Sequence, residues 1–270
     1  TPMSDPAAQT DWFIVTKEYR RFEEFCEACR RERYIGLCYG PPGVGKTVSA
    51  RRYAKWDLIE GRDPLDQNVV VPAEIAACRT LLFTPGVANT PRAVREQIEA
   101  GRLMLRGLAG RAAHDPSSEG RPDFDDRCEL ILVDEADRLT TQSLEELRDH
   151  YDRNDIGLVL IGMPGFEKRL ARYPQLYSRI GFAHAFRPLS QDETLFVLQQ
   201  HWRAWGRSWR EDEFTDREAH AAIIRITAGN FRLIDRLMAQ IARIKRLNQL
   251  NTVSKEVVDA ARECLVIGSM

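Results

Sequence analysis

The sequence lacks any apolar run that approaches the ~18 residues of a membrane-spanning helix, and its first residues show no signal-peptide pattern. It also lacks an excess of charge. The formal net charge is −1, which excludes a generally basic protein that binds nucleic acid through its overall charge. With 43% hydrophobic and 29% charged residues, the chain has the composition of a globular protein. We therefore expect a cytoplasmic protein without a membrane partner.

Cysteine and lysine are both scarce. The six cysteines include one CxxC pair, Cys26 and Cys29, which has no second pair and no nearby histidine and falls in an amphipathic pattern. We interpret this pair as helix packing, because a zinc site needs more ligands. Six lysines leave 33 of the 39 basic residues as arginine. Arginine suits phosphate and carboxylate partners, but a GC-rich genome gives the same bias, so the position of the charges matters more than the ratio.

A glycine-rich loop lies at residues 37–47, LCYGPPGVGKT, between an apolar strand and a helix. It fits the pattern G-x-x-x-x-G-K-[ST], in which backbone N–H groups and the helix N-terminus surround phosphate oxygens. Lys46 reaches the outer phosphates, and the Thr47 hydroxyl is a ligand for Mg²⁺. The alternative, a glycine turn with a chance lysine, is disfavoured by the strand–loop–helix context. The sequence predicts an ATP site formed by Gly40, Pro41, Pro42, Gly43, Val44, Gly45, Lys46, Thr47 and Val48.

A second motif, LILVDEAD at residues 130–137, is an apolar strand that ends in two adjacent acids. Asp134 is positioned to hold the Mg²⁺ shell, and Glu135 to polarise the water that attacks the γ-phosphate, as hydrolysis requires. A strand ending in a solvated acidic turn is the alternative. The preceding glycine-rich loop favours the catalytic interpretation.

The order of elements predicts an α/β fold: a five-stranded, mostly parallel sheet between helices, followed by a small all-helical domain. Candidate strands are 34–39, 69–71, 80–84, 130–133, 157–161 and 182–186, and candidate helices are 17–33, 46–60, 91–108, 143–152 and 167–173. After Pro188 only helical patterns occur, at 190–205, 215–227, 230–250 and 254–266. We predict a partly disordered extension over 1–16, an α/β domain over 17–188, a mobile loop over 109–127 and a helical lid domain over 189–270.

Four motifs, at 40–47, 130–135, 178–179 and 229–232, resemble those of AAA+ ATPases in order and spacing. The segment FTPGVANTPRAVREQI is similar to the one after the second strand in the transposition regulators TniB, TnsC and MuB. The block IGMPGFEKRLARYPQLYSRIGFAHAFRPLSQDET is similar to one that these proteins share with ExeA-type ATPases. The resemblance extends from about residue 12 to 266 and indicates the TniB/TnsC/MuB-like transposition-regulator group.

The resemblance implies roles for two arginines. Arg179 corresponds to the arginine finger that a neighbouring subunit supplies to the γ-phosphate; the alternative is an ordinary surface arginine, with Arg172 as a substitute finger. Arg232, in GNFR, corresponds to the sensor arginine that contacts the γ-phosphate of its own chain; the alternative is a surface ion pair at a helix start. Where AAA+ proteins usually place a polar residue, at the end of the strand predicted over 157–161, this chain has Gly162 and Met163, which predicts slow hydrolysis.

A finger supplied in trans implies a head-to-tail ring or helical filament. In the resembling proteins, ATP-bound subunits assemble on double-stranded DNA and present a platform to a transposase, with a target-selection protein as a further partner. The basic helix predicted after 90 is placed to follow phosphates, so we expect DNA contacts from Thr90, Arg92, Arg95, Arg102 and Arg106. A solvated face paired with Glu96 and Glu99 remains the alternative. The alternative functions are an ATPase of another process, ExeA-like secretion or helicase loading, and a weakly hydrolysing scaffold.

Overall fold

The computed structural model describes residues 13–66, 68–114, 125, 127–205 and 214–265. Within these ranges, no helix is both long and apolar enough to cross a membrane. The predicted disorder of residues 1–10 and most of the loop predicted over 109–127 lie outside the described residues.

A five-stranded parallel sheet forms the centre of the described chain. Its strands, in spatial order β2-β3-β4-β1-β5, are β1 (Ile35–Tyr39), β2 (Thr80–Phe83), β3 (Leu130–Val133), β4 (Gly157–Gly162) and β5 (Ile180–Ala185). Apolar residues fill the three central strands and β2 because helices cover both faces of a parallel sheet. The predicted α/β class is confirmed.

The helices that surround the sheet come from the first 180 residues, and the remaining helices form a separate layer. The first group is α1 (Lys17–Glu32), α2 (Lys46–Tyr53), α3 (Pro91–Ala113), α4 (Thr141–Arg153), α5 (Phe166–Leu170) and α6 (Pro174–Tyr177). The second group is α7 (Gln191–Ala204), α8 (Phe214–Thr227), α9 (Phe231–Leu247) and α10 (Lys255–Glu263).

Side-chain caps explain where several helices begin. The Thr90 hydroxyl accepts a hydrogen bond from the backbone of Ala93 at the start of α3, with Pro91 at the first helical position. Ser190 and Glu193 form a capping box at the start of α7. The sequence signals for these helix starts are local, and for that reason they were predictable.

One predicted strand is absent from the structure, and one predicted helix is shorter than expected. Residues 69–71 form no strand, because the Arg111 guanidinium donates hydrogen bonds to the carbonyls of Pro64, Asp66 and Val69 and holds this segment as a loop. The helix predicted over 46–60 ends at Tyr53, since Lys55 adopts a left-handed conformation with φ 50° before a short 3₁₀ turn.

Helix α3 is longer than the predicted 91–108 and continues to Ala113, with Leu108 and Ala109 buried. Gly107 faces the ring of Pro64, where an added Cβ would lie 2.6 Å from the Pro64 Cβ. This close approach allows the glycine-containing end of the helix to pack instead of fraying.

The buried apolar side chains form two clusters. One contains the sheet and extends along the chain from Phe22 to Phe186. The other contains only helical layers and begins at Leu189, with Trp202 fully buried. The backbone N–H of Leu189 donates a hydrogen bond of 2.9 Å to the carbonyl of Gly229, which joins the first residue of the second cluster to the turn before α9.

The register of the strands brings their carboxyl ends to one edge. Tyr39 of β1 lies opposite Gly162 of β4, and Val133 of β3 lies opposite Leu160 of β4. The segments that follow these strands, the glycine-rich loop, the acidic pair and Met163, therefore meet at the edge where ligands bind in such folds.

Candidate nucleotide site

A cavity of about 500 Å³ opens at this edge, between the sheet and the start of α9. Its walls come from segments far apart in the sequence: the glycine-rich loop, the end of β3 with the turn after it, the end of β4, and the first turn of α9. The lining residues are Pro42, Gly43, Gly45, Lys46, Thr47, Val48, Asp134, Glu135, Asp137, Arg138, Gly162, Met163, Phe231, Arg232 and Asp235.

The glycine-rich loop has the shape that its sequence predicts. Gly45 has a φ of 110°, a conformation that side chains with a Cβ rarely adopt. A Cβ on Gly40 would lie 2.2 Å from the backbone oxygen of Phe186, so only glycine fits there. Three residues of the predicted set do not line the cavity: Gly40 packs against Phe186, Val44 is buried in the core, and Pro41 contributes its carbonyl to Lys46.

The Lys46 ammonium group donates hydrogen bonds to the carbonyl oxygens of Gly40 at 2.6 Å and Pro41 at 2.8 Å. Burial lowers the pKa of Lys46, and the Asp134 and Asp137 carboxylates oppose that effect. A cation held among carbonyls at the helix N-terminus is the group that phosphate oxygens require.

The acidic pair follows β3 directly. Asp134 is almost fully buried, and its Oδ1 accepts a hydrogen bond of 3.0 Å from the backbone of Glu135. Glu135 has a φ of 53°, an uncommon and strained conformation for a non-glycine residue, which turns it out of the strand direction. Its carboxylate forms an ion pair with Arg138.

Asp134 and Thr47 fit a magnesium ion, because both supply oxygen ligands to the same cavity. In the described part of the chain, no group of three or more His, Cys, Asp or Glu side chains forms a metal cluster. Magnesium needs few protein ligands when phosphates and water complete its shell, so a carboxylate with a hydroxyl suffices.

The start of α9 is attached to the glycine-rich loop. The Asn230 side chain donates to the carbonyl of Pro42 at 2.9 Å, and the Arg232 backbone donates to the carbonyl of Gly43 at 2.9 Å. Asn230 also caps α9 through its Oδ1. The Arg232 side chain lines the cavity and forms no salt bridge within the described residues.

Several lining residues were missed from the sequence. Asn230, which contacts the loop without lining the cavity, belongs to the motif at 229–232 and had a further usable signal, since an asparagine before a helical pattern is a common cap. Asp137 and Arg138 were visible as part of the acidic turn, but their roles depend on neighbours that only the fold supplies. Phe231 belongs to the motif at 229–232 but had no role predicted for it, and Asp235 had no distinguishing signal.

Arg179 lies at the opposite edge of the sheet. It directly precedes β5, whose first residue pairs with Ile35 at the amino end of β1, about 16 Å from the glycine-rich loop along a five-residue strand. Its guanidinium binds the Asp152 carboxylate of α4 at 2.6 and 2.9 Å. Arg172 is exposed and forms no salt bridge within the described residues. Neither arginine lines the cavity of its own chain.

The arginines of α3 are mostly paired. Arg92 pairs with Glu96 at 2.7 Å, and Arg95 binds Glu146 of α4 through two hydrogen bonds of 2.6 and 2.8 Å. The pairing with Glu96 and Glu99 that the alternative interpretation predicts is therefore present at Arg92 and also at Arg102, which lies 3.6 Å from Glu99.

Arg102 is turned towards α4, with its side chain only 14% exposed, and lies within hydrogen-bond distance of His150 and Asn154. Arg106 is exposed. Thr90 caps the helix and is exposed as well. The five residues predicted to bind DNA thus do not form one free basic face.

The AAA domain family matches residues 29–170, which include the glycine-rich loop and the acidic pair. The chain belongs to the AAA+ family, and it is an ATPase.

Similarity to known proteins agrees with this family. The chain is 46% identical over 266 residues to a potential ATP-binding protein of Staphylococcus aureus, covering 95% of this chain and 97% of that protein. It is 28% identical over 253 residues to the Mu-like prophage FluMu DNA transposition protein B of Haemophilus influenzae, covering 88% of this chain and 76% of that protein. It is 31% identical over 178 residues to the ATP-dependent target DNA activator B of Escherichia phage Mu, covering 62% of this chain and about half, 49%, of that protein.

Among solved structures, the RuvB Holliday junction branch migration motor of Thermotoga maritima superposes with a TM-score of 0.60. The match covers 95% of this chain and 71% of that chain at 16% sequence identity. At this identity the likeness shows the fold alone, a P-loop sheet followed by helices.

Proposed function

We propose that this ATPase regulates DNA transposition. With ATP bound, it assembles on duplex DNA, helps to recruit or activate a transposase at a target chosen with a target-selection protein, and dissociates after hydrolysis. The observation that carries the proposal is the similarity to a DNA transposition protein B, which covers 88% of this chain and so includes both apolar clusters. Fold alone supports no such function, because AAA+ folds serve many processes.

We infer that the active assembly is a head-to-tail ring or helical filament. Arg179 lies at the edge of the sheet opposite to the cavity, so it reaches an ATP molecule only when that molecule is bound to a neighbouring subunit. A heterologous contact of this kind repeats and builds rings or filaments. Arg179 then exchanges its partner Asp152 for the γ-phosphate charge.

Within each site we assign roles by position. Lys46 and Arg232 stabilise phosphate charge, the main-chain groups of the loop hold the phosphates, and Thr47 with Asp134 holds Mg²⁺. Glu135 polarises the attacking water. Magnesium, when bound, neutralises charge that develops on the phosphate oxygens.

For DNA we propose contacts at the exposed members of the predicted set, Thr90, Arg92 and Arg106. Arg95 joins them when it releases Glu146, since both of its hydrogen bonds are to that one carboxylate. Arg102 supports the packing of α3 on α4 instead of reaching the phosphates. Such contacts follow the DNA backbone without reading its sequence.

The test is electron microscopy with filter binding on duplex DNA, comparing no nucleotide, ADP and a non-hydrolysable ATP analogue. We expect rings or helices on DNA only with the analogue. The variant Arg92→Glu/Arg106→Glu should reduce DNA affinity at least tenfold. Raising the salt concentration should weaken DNA binding by the wild type.

A matched control is Arg243→Glu/Arg246→Glu, which changes the same charge at two exposed positions of α9. It should bind DNA as the wild type does. If the wild type binds no DNA in any nucleotide state, the transposition proposal is wrong. If only the α9 variant loses binding, the DNA surface is on α9 and not on α3.

A further inference from the structure

The carboxyl end of β4 has no room for a side chain. A Cβ on Gly162 would lie 2.6 Å from Cδ1 of the Phe166 ring and 3.1 Å from Oδ1 of Asp137. The strand therefore cannot itself supply a polar group here, next to the phosphate loop. The space that such a side chain would take is partly filled by Asp137.

Asp137 comes from the short 3₁₀ turn Ala136–Arg138, directly after the acidic pair. Its Oδ1 accepts a hydrogen bond of 3.2 Å from the backbone N–H of Met163, the first residue after β4. Its Oδ2 accepts no hydrogen bond from any residue in the described ranges. The side chain lines the same cavity as Lys46, Asp134 and Glu135.

The turn that carries Asp137 is fixed in place. The Arg169 guanidinium of α5 donates to the backbone carbonyl of Asp137 at 2.8 Å and also to that of Leu139. Two bonds from one planar group hold the turn in a defined orientation. The turn therefore holds the Asp137 carboxylate in a fixed position at the end of β4, as a group that positions a reactant requires.

We propose that Asp137 positions the attacking water, in the place that a polar residue at the end of β4 would otherwise take. The inference depends on the ATPase activity and not on the proposed role in transposition. Oδ1 stays bonded to Met163, while Oδ2 accepts a hydrogen bond from the water. Glu135 accepts the second hydrogen bond, so the two carboxylates together orient the water oxygen.

In the reaction, the water oxygen forms a bond to the γ-phosphorus as the bond from this phosphorus to the bridging oxygen of ADP breaks. Glu135 takes the proton of the water and passes it to solvent. The products are ADP and inorganic phosphate. Asp137 neither gives nor takes a proton in this step. Its contribution is to orient the water.

The test compares Asp137→Asn and Asp137→Glu in single-turnover hydrolysis with and without duplex DNA, at protein concentrations that allow subunits to contact one another. Asparagine keeps an oxygen acceptor for Met163 but loses the second carboxylate oxygen, whereas glutamate keeps the carboxylate. We expect Asp137→Asn to reduce the rate about 10- to 100-fold, with ATP affinity and the Mg²⁺ concentration for half-maximal rate within twofold of wild type. Asp137→Glu should retain several times more activity than Asp137→Asn. Asp149→Asn, an exposed change on α4 outside the cavity, is the matched control and should hydrolyse as wild type.

Three outcomes overturn the proposal. A rate for Asp137→Asn within twofold of wild type means that the charge plays no part. A raised Mg²⁺ requirement means that Asp137 is a metal ligand. An equal loss of nucleotide binding or of melting temperature in both variants means that Asp137 is only a brace between the turn and β4.

Discussion

The Glu135 carboxylate lies 2.5 Å from the Arg138 guanidinium, one helical turn further along the chain, and both groups line the nucleotide cavity. The proposed catalytic base is therefore held by a positive charge of its own chain. Both side chains are more than 40% exposed, so the pair is worth at most about 1 kcal/mol. That free energy corresponds to about a fivefold preference for the paired form.

Removing Arg138 should release the base. We expect Arg138→Gln to raise ATP turnover, measured with and without duplex DNA, by no more than about fivefold, because the ion pair holds the Glu135 carboxylate with no more than about 1 kcal/mol. Steady-state phosphate release measures the effect. Arg153→Gln, which breaks an exposed pair with Asp149 on α4, is the control and should leave turnover unchanged. Lower turnover in Arg138→Gln would instead give this arginine a part in catalysis.

Glu135→Gln should bind ATP normally and hydrolyse it at least about 100-fold more slowly, since a general base contributes that much or more. Fluorescent-nucleotide titration and single-turnover hydrolysis measure the two properties separately. On DNA, assemblies of this variant should persist with ATP. Equal rates in variant and wild type would support the scaffold interpretation.

Arg179→Ala should reduce turnover about 1,000-fold or more while leaving ATP affinity nearly unchanged, as for an arginine finger. Arg172→Ala, an exposed change in the preceding turn, should have little effect. Reversal of these two results would make Arg172 the finger.

Mixing two inactive variants tests whether the finger acts in trans. A site formed by Glu135 of an Arg179→Ala subunit and Arg179 of a Glu135→Gln neighbour is complete. A 1:1 mixture should therefore regain about a quarter of wild-type turnover, given random head-to-tail assembly. No recovery on mixing would exclude a shared site.

Asn230→Ala removes both the cap of α9 and the hydrogen bond to Pro42. We expect a loss of about 1 kcal/mol in stability and a several-fold loss of ATP affinity, because the cap and the attachment to the phosphate loop go together. Ser254→Ala is a suitable comparison, since Ser254 begins α10 without a capping hydrogen bond. Thermal melting with and without ATP analogue separates the two contributions.

We propose that the chain divides near 188, with an α/β domain over 17–188 and a helical domain over 189–270. The two separate buried clusters support this division. Calorimetry should show two unfolding transitions that an ATP analogue shifts upward, because both parts line the cavity. One transition under all conditions would argue against the division.

Much of the fold was predictable because its signals are local. Apolar runs gave the strands, Thr90 and Ser190 gave helix starts, and the glycine-rich loop needs only its own residues to form. The sequence could not show that Arg111 would hold residues 64–69 as a loop, since that contact joins elements more than 40 residues apart. A long-range contact made by one side chain produces no periodic pattern in the sequence.

The same distinction applies to the site. Lys46, Thr47, Asp134 and Glu135 belong to short motifs, and the structure brings them to one cavity. The contacts that complete the site join these motifs to distant parts of the chain. Asp137 acquires its proposed role from Met163, 26 residues later, and Arg95 is paired by Glu146 of another helix.

Among the described residues, the hydrogen bonds that join α9 to the phosphate loop come from its cap Asn230 and from the backbone of Arg232 in its first turn. Its 17 residues give it a length of about 25 Å from that attachment. A rotation of α9 about this attachment to the phosphate loop would therefore be amplified along the helix. A rotation of 5° about the first turn moves the far end of the helix by about 2 Å, a distance comparable to the helix shifts that switch subunit interfaces. A shift of the first turn of α9 on hydrolysis would therefore become a movement on the scale of a subunit contact.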